Sequence, residues 1–193
     1  MKMNLSKSLL ALSLLVFLPN VACAHVLPGD SHGFHDGFLH PFTGWDHLLA
    51  MIAVGLWAAQ HRGRALWLIP LSFVGVMLLG GILGVAGAWM PGAEAGIAIS
   101  VLVLGGLVAS MTRFTPSLSM AVVAFFALFH GYAHGHEMPA AASALPFSLG
   151  FVLATALLHG AGIAAGLGFQ NQPRVLRWAG AAIAASSVCF MAG

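Results

Sequence analysis

The hydrophobic residues of this chain lie in long runs that are apolar on every side, separated by short polar or charged breaks. Six of these runs follow one another, at about Thr43–Ala59, Leu66–Ala88, Ala95–Met111, Ser117–His134, Ala142–Gly168 and Val175–Ala192. In lipid, a helix satisfies its backbone hydrogen bonds within one segment, and runs of this length exceed what a barrel strand needs. The pattern therefore predicts an all-α membrane protein with six transmembrane helices.

The start of the chain has the pattern of a targeting segment. Lys2 and Lys7 precede a short apolar run, and Ala22-Cys23-Ala24 resembles a signal-peptidase site. The run is shorter than the roughly 20 residues that a spanning helix needs. We therefore predict a cleaved signal peptide at residues 1–24, an external segment rich in His and Asp at residues 25–42, and the membrane domain at residues 43–193. Cleavage would leave Cys189 alone, which argues against a disulfide and against thiolate ligation.

Composition and charge agree with a membrane assignment. Hydrophobic residues make up 60% of the chain and charged residues 6%, and the mean hydropathy is +0.95. The net charge of +2 is too small to indicate nucleic-acid binding. The arginines follow the first, third and fifth runs, at Arg62, Arg64, Arg113, Arg174 and Arg177. By the positive-inside rule these loops are cytoplasmic, which predicts a multi-pass protein of the bacterial inner membrane with both mature termini in the periplasm.

The histidines are numerous for a chain with so few charges, and most of them form two clusters. The first cluster precedes and enters the first helix, at His25, His32, His35, His40 and His47. The second cluster ends the fourth helix, at His130, His134 and His136. The predicted topology places both clusters toward the external face. They therefore share one predicted depth in the membrane.

In the second cluster, helical spacing decides which side chains can bind one ion together. His130, His134 and Glu137 lie along one stripe of a helix. That stripe is roughly 10 Å long at 1.5 Å per residue. A single ion in a regular helix therefore contacts adjacent pairs, unless the two intervening glycines loosen the turn. His136 points elsewhere if the helix continues.

In the first cluster, His40, Asp46 and His47 form the spacing H-x5-D-H. Imidazole and carboxylate donors without thiolates suit Ni²⁺, Co²⁺ or Zn²⁺ rather than Cu(I). Ionisable groups inside a membrane are costly and are functional by default. Candidate ligands on local chemistry alone, with a weaker basis, are His25, His32, His35, Asp36, His136 and His159.

Some of these residues have an ordinary structural explanation. Thr43-x-x-Asp46 has the spacing of a capping box, so Asp46 could simply satisfy the first turn of a helix. His159, in the sequence LLHGAG, could be a hydrogen-bonded packing residue. His61, beside Arg62, is interpreted as a cytoplasmic loop residue.

Two long motifs carry a family resemblance. HPFTGWDH runs from His40 to His47, and FHGYAHGHE runs from Phe129 to Glu137. Through these motifs, and over essentially its whole length, the chain resembles the HupE/UreJ family of nickel and cobalt permeases, whose members carry H-x5-D-H and FHGxAHGxE in the first and fourth helices. The resemblance implies a transport site made of His40, Asp46, His47, His130, His134 and Glu137.

Taken together, the residues and the resemblance predict a non-enzymatic permease that takes up a divalent ion, foremost Ni²⁺, then Co²⁺ or Zn²⁺, without a prosthetic group. No P-loop of the form GxxxxGK[ST] occurs in the sequence, so uptake is expected to be independent of ATP. A metallochaperone or metalloenzyme maturation machinery is the expected cytoplasmic partner. The alternatives are an intramembrane zinc-dependent hydrolase, a bis-histidine haem protein, and a metal-sensing or assembly subunit without transport.

Overall fold

In the computed structural model, which describes residues 33–138 and 143–192, the regular elements are all helical. Helix α1 (Phe34–Leu39) and a 3-10 turn (His40–Phe42) lead into a series of longer helices. These are α2 (Trp45–Gln60), α3 (Ala65–Val85), α4 (Ala93–Ser110), α5 (Pro116–Glu137), α6 (Ala144–Gly168) and α7 (Pro173–Ala192). The longer helices match the six apolar runs to within a few residues at most ends. The predicted signal peptide at residues 1–24 lies outside the described residues, and so do His25 and His32 of the external segment.

Helix ends follow local backbone chemistry. Helix α5 begins at Pro116, where proline's missing N–H leaves no helical hydrogen bond unmade. The side chain of Thr115 caps this end by accepting a hydrogen bond from the backbone N–H of Leu118 at 3.4 Å. Helix α4 ends at Met111, which adopts a left-handed φ of 59° and so turns the chain away from the helix.

Four helices, α3 to α6, are long and apolar enough to cross a bilayer. A fifth candidate is the pair formed by the segment Phe34–Phe42 and α2, which is bent by 82°. Helix α7 is not among the candidates in the described part of the chain, and its Arg174 and Arg177 lower its hydropathy. The all-helical architecture with several candidate spans is confirmed, whereas the count of six spans stays a prediction.

Glycines bring the backbones of α3 and α5 into direct contact. A Cβ on Gly131 of α5 would collide with the carbonyl oxygen of Met77, and a Cβ on Gly84 of α3 would collide with that of Tyr132. Helices can approach this closely only where side chains are absent. Gly80 and Gly84, spaced as G-x3-G, thus allow close packing that fixes the position of α5.

Two further helix pairs pack in the same way. Gly55 of α2 and Gly162 of α6 each face the other helix's backbone, and Gly105 of α4 faces the backbone of α7 near Gly180. Helix α1 lies against the start of α6, since a Cβ on Gly37 would collide with the carbonyl oxygen of Phe147. Helices α1 and α2 are thereby both held against α6.

The outward surface of α3 is strongly apolar. Trp67, Leu71, Leu79 and Ile82 are all more than half exposed. Exposed apolar patches of this extent are rare on soluble monomers and are ordinary on helices that face lipid. The buried side chains of Ile69, Phe73 and Met77 lie on the opposite face of the same helix.

Candidate metal site

Histidines from both motifs meet where the 3-10 turn, the start of α2 and the end of α5 come together. The ring of His134 on α5 lies 4.7 Å from that of His40 and 4.2 Å from that of His47, measured between ring centroids. One turn earlier on α5, the ring of His130 lies 4.8 Å from that of His47. The two sequence motifs therefore contribute side chains to one cluster.

The outer part of the cluster consists of His40, His134 and Glu137. Each residue offers one ligand atom, and these atoms lie within 4.8 Å of one another. Nε2 of His40 and Oε2 of Glu137 are 3.4 Å apart. Nitrogen and oxygen donors bound to one ion at about 2.1 Å stand roughly 3–4 Å from each other. The outer group therefore needs little rearrangement to hold a single ion.

Burial increases from the outer group inward. The side chain of Glu137 is 56% exposed and that of His40 is 25% exposed. His134 is 4% exposed, and His130 is fully buried. Helix α5 stays regular through Glu137, so the intervening glycines serve helix packing and do not loosen the turn. The stripe along α5 therefore presents its donors at successive depths.

Asp46 orients the ring of His47. Oδ1 of Asp46 accepts a hydrogen bond from the backbone N–H of His47 at 2.7 Å and lies 2.8 Å from Nδ1 of its ring. This contact holds the ring proton on Nδ1 and leaves Nε2 free to bind a metal. Gly44 gives the pair room, because a Cβ there would approach Oδ1 of Asp46 to 2.8 Å. Asp46 thus acts through His47, and direct ligation by Asp46 stays a prediction.

The capping box suggested by Thr43 and Asp46 does not form. Gly44 is the N-cap of α2, without a capping hydrogen bond from a side chain. The hydroxyl of Thr43 donates instead to the carbonyl oxygen of His40 at 2.7 Å. Asp46 does satisfy one backbone N–H of the first turn, that of His47, but a helix cap alone does not explain it, because the same oxygen also contacts the ring of His47.

Ser100 of α4 plays a similar part for His130. Its hydroxyl donates to the carbonyl oxygen of Ile97 at 2.6 Å, and its oxygen lies 2.8 Å from Nε2 of His130. Since the one hydroxyl proton is already used, Nε2–H of His130 donates to Ser100 and Nδ1 keeps its lone pair. The sequence analysis did not identify Ser100. The one feature that marks it in the sequence is a hydroxyl side chain within an apolar run.

Several buried ring nitrogens of the cluster have no hydrogen-bond partner among the described residues. They are Nε2 of His47, Nδ1 of His130, and both nitrogens of His134. An unmade hydrogen bond on a buried polar group costs about 1–3 kcal/mol, and native structures rarely leave such groups unsatisfied. Their accumulation at one place is typical of a site that binds something else.

A family model described as HupE / UreJ protein matches residues 12–190. The chain belongs to the HupE/UreJ family. Protein HupE of Rhizobium leguminosarum bv. viciae is 43% identical over 179 residues, which is 91% of this chain and 93% of that protein. No solved structure matches the chain. The resemblance drawn from the two motifs is confirmed.

Other candidate ligands of this HupE/UreJ chain lie apart from the cluster. His136 is exposed and stacks on Tyr132, with ring centroids 5.8 Å apart. The side chain of His35 is 70% exposed, and its Nδ1 lies 3.7 Å from Oδ1 of Asp36. Within the described residues, the close donor group contains none of His35, Asp36 and His136. Metal ligation by these three residues stays a prediction.

His61 lies directly after α2, in the connection to α3 as expected for a loop residue, but it is buried and has a structural role. Its Nδ1–H donates to the carbonyl oxygen of Trp57 at 2.9 Å, and its Nε2 accepts from the hydroxyl of Ser119 at 3.0 Å. Both ring nitrogens are therefore used: Nδ1 bonds to the last turn of α2, and Nε2 joins this end of α2 to α5.

His159 lies deeper in this HupE/UreJ protein, beyond Phe73. The ring of Phe73 is 5.7 Å from that of His130 and 5.2 Å from that of His159. Neither ring nitrogen of His159 has a hydrogen-bond partner among the described residues. The explanation of His159 as a hydrogen-bonded packing residue is therefore wrong.

Proposed function

We propose that this HupE/UreJ protein takes up a divalent transition-metal ion, foremost Ni²⁺ and secondly Co²⁺, from the periplasm into the cytoplasm without ATP. The observation that carries the proposal is the set of unpartnered, buried nitrogens on His47, His130 and His134, which lies directly behind the exposed Glu137. Imidazole and carboxylate donors suit ions of this class. The association of the family with nickel and cobalt uptake supports the substrate class.

The ion enters at the end of α5. Glu137 and His40 are the most accessible donors, and the carboxylate offsets part of the ion's charge. The C-terminal end of a helix also carries the negative end of its dipole, which favours a cation. These features lower the cost of removing water from the ion before it reaches His134.

From His134 the ion passes to the nitrogens of His47 and His130. Their rings touch, so one ligand can be exchanged for the next without returning the ion to water. Asp46 holds the ring of His47, and Ser100 holds the ring of His130, in the tautomer that presents a lone pair to the ion. Each handover then replaces one imidazole by another of similar strength, which keeps the barriers low.

The membrane potential is sufficient to drive this movement. A divalent ion moving inward gains about 4.6 kcal/mol per 100 mV, negative inside. We place the protein in the bacterial inner membrane with six spans, both mature termini in the periplasm and a signal peptide at residues 1–24, on the charge pattern of the sequence. Trapping of the ion by a cytoplasmic metallochaperone or maturation machinery would sustain uptake.

Metal uptake into proteoliposomes tests the proposal. Purified protein should transport Ni²⁺ and Co²⁺, and His130→Ala and Asp46→Asn should each reduce flux at least about tenfold, as expected for loss of a ligand or of its orienting partner. His136→Ala is the matched control, because His136 is an exposed histidine outside the cluster. Undiminished flux in both cluster variants would remove the proposed site. Purification with stoichiometric, non-exchangeable zinc and no flux would favour the hydrolase instead.

A further inference from the structure

A buried imidazole, that of His159, lies across Phe73 from His130, between α3 and α6. His159 of α6 is 2% exposed, and both its ring nitrogens lack a hydrogen-bond partner among the described residues. A neutral imidazole can be satisfied in packing by one carbonyl and one serine, as His61 is. Leaving both nitrogens unsatisfied costs about 1–3 kcal/mol for each polar group. A ligand other than the protein's own groups would remove that cost.

Two further donors stand beside this imidazole. Thr155 lies one turn before His159 on the same face of α6, and its hydroxyl donates to Sδ of Met77 at 3.9 Å. Met77 in turn lies one turn after Phe73 on α3, and the ring of Phe73 contacts that of His159. The face of α3 that carries Phe73 and Met77 therefore packs on the face of α6 that carries Thr155 and His159. Met77 and Thr155 are as deeply buried as the imidazole.

Phe73 stands between His159 and His130. Its fully buried ring contacts His130 on one side and His159 on the other, with centroids 5.7 Å and 5.2 Å away. An apolar ring offers no lone pair that could replace an imidazole ligand, so one ion cannot be shared continuously across it. The donors on its two sides therefore belong to two distinct positions along the same line.

We propose that His159, together with Met77 and Thr155 one turn away on α3 and α6, forms a second, inner binding station for the ion, across Phe73 from His130. The donors are one imidazole nitrogen, one thioether sulfur and one hydroxyl oxygen, a set that suits a borderline or soft transition-metal ion and not Mg²⁺ or Ca²⁺. All three donors are uncharged, so the station holds the ion weakly and releases it toward the cytoplasm. The direction of travel rests on the proposed function, but binding at the station does not.

A thiolate placed in the station gives a readout that is independent of transport. Met77→Cys, in full-length protein carrying Cys189→Ala, should give a sulfur-to-metal charge-transfer absorption band when Co²⁺ is added. Adding His159→Leu should abolish the band, because the imidazole that helps to hold the ion is lost. Leu78→Cys, one residue along α3 and 42% exposed, is the matched control and should give no charge-transfer band.

If Met77→Cys does not fold, Thr155→Cys carries the same test, since its side chain occupies the same face one turn from His159. No band in either folded cysteine variant overturns the proposal, as does a band that persists after His159→Leu. A band in Met77→Cys together with no flux in the wild-type protein would support the station while refuting the uptake function. The two proposals thus fail separately.

Flux supplies a second test. His159→Leu and Met77→Leu, the latter nearly conserving volume, should reduce maximal Ni²⁺ flux by about tenfold and about threefold, respectively, where tenfold corresponds to ~1.4 kcal/mol of barrier. The external concentration for half-maximal flux should stay within about twofold, because the outer donors are untouched, whereas His134→Ala should raise it. Unchanged maximal flux in both inner variants contradicts the proposal.

Discussion

Replacing Gly131 with alanine tests whether the contact between α3 and α5 holds the histidine stripe in position. Gly131 directly follows His130 on α5, and an added Cβ would overlap the carbonyl oxygen of Met77. The same Cβ would lie 2.7 Å from the carbonyl carbon of Met77 and 2.9 Å from the backbone nitrogen of Gly81. Both neighbours are backbone atoms of a helix, which cannot rotate away as a side chain would.

The helices would therefore have to separate. Moving the added Cβ from 2.7 Å to an ordinary contact distance of about 3.4 Å from the carbonyl carbon of Met77 needs a shift of at least roughly 0.7 Å. Overpacking of this kind costs about 1–3 kcal/mol, against a gain of about 0.5–1 kcal/mol for replacing glycine by alanine within a helix. We expect a net destabilisation of about 1–2 kcal/mol by these terms. Metal–ligand distances tolerate only about 0.2 Å, so the displaced stripe should lose at least about tenfold in Ni²⁺ flux.

The assay compares thermal unfolding in detergent and Ni²⁺ uptake in proteoliposomes for Gly131→Ala and Gly75→Ala. Gly75, on α3, is the matched control because a Cβ there would meet nothing within 4 Å. Gly75→Ala should be at least as stable as the wild type and fully active. The reasoning is refuted if Gly131→Ala matches Gly75→Ala in both stability and flux.

Three further predictions concern the tautomers, pH and topology. Ser100→Ala should weaken Ni²⁺ binding by about 10–100-fold, the usual effect of losing a group that orients a ligand, and Ser100→Thr should restore it; equal affinity for the alanine variant would exclude the role of the hydroxyl. Uptake at constant voltage should fall as the external solution is acidified into the range where imidazole gains a proton, because only the neutral nitrogen binds metal; flux that is constant over this range would contradict binding by histidine. Cysteines at Arg62, Arg113 and Arg174, in the Cys189→Ala background, should be shielded from an impermeant maleimide applied outside, whereas Glu94→Cys should react; external labelling of the arginine positions would overturn the orientation.

The helices could be predicted from the sequence because their runs are apolar on every side, a pattern that depends on the bilayer and not on neighbouring helices. The spacing of His130, His134 and Glu137 likewise followed from helical periodicity alone. The number of helices and the positions of the arginines predicted that these residues and the H-x5-D-H motif lie at the same depth in the membrane. Each of these inferences is local in sequence or depends only on topology.

The features that could not be predicted depend on contacts between residues that are distant in the sequence. Ser100 is 30 residues from His130 in the chain, and no local pattern marks it as the partner of that ring. Helix α1 was missed because six residues in a polar lead segment carry no periodic signal; its position is set by packing on α6. The structural role of His61 was missed for the same reason, since its partner Ser119 comes from another helix. The role of Asp46 was ambiguous, because a carboxylate that caps a helix and one that orients a neighbouring histidine occur at the same position in the sequence.

A double-mutant cycle on Ni²⁺ binding tests most directly whether both motifs hold one ion. The dissociation constant is measured calorimetrically for the wild-type protein, His47→Ala, His134→Ala and the double variant, all as purified full-length chains. Since the two rings lie 4.2 Å apart, each single change should weaken binding at least about tenfold, and the double change should cost less than the sum by about 1 kcal/mol or more. Free-energy losses that add to within about 0.5 kcal/mol would show that the two histidines bind independently, which contradicts a site shared by the two motifs.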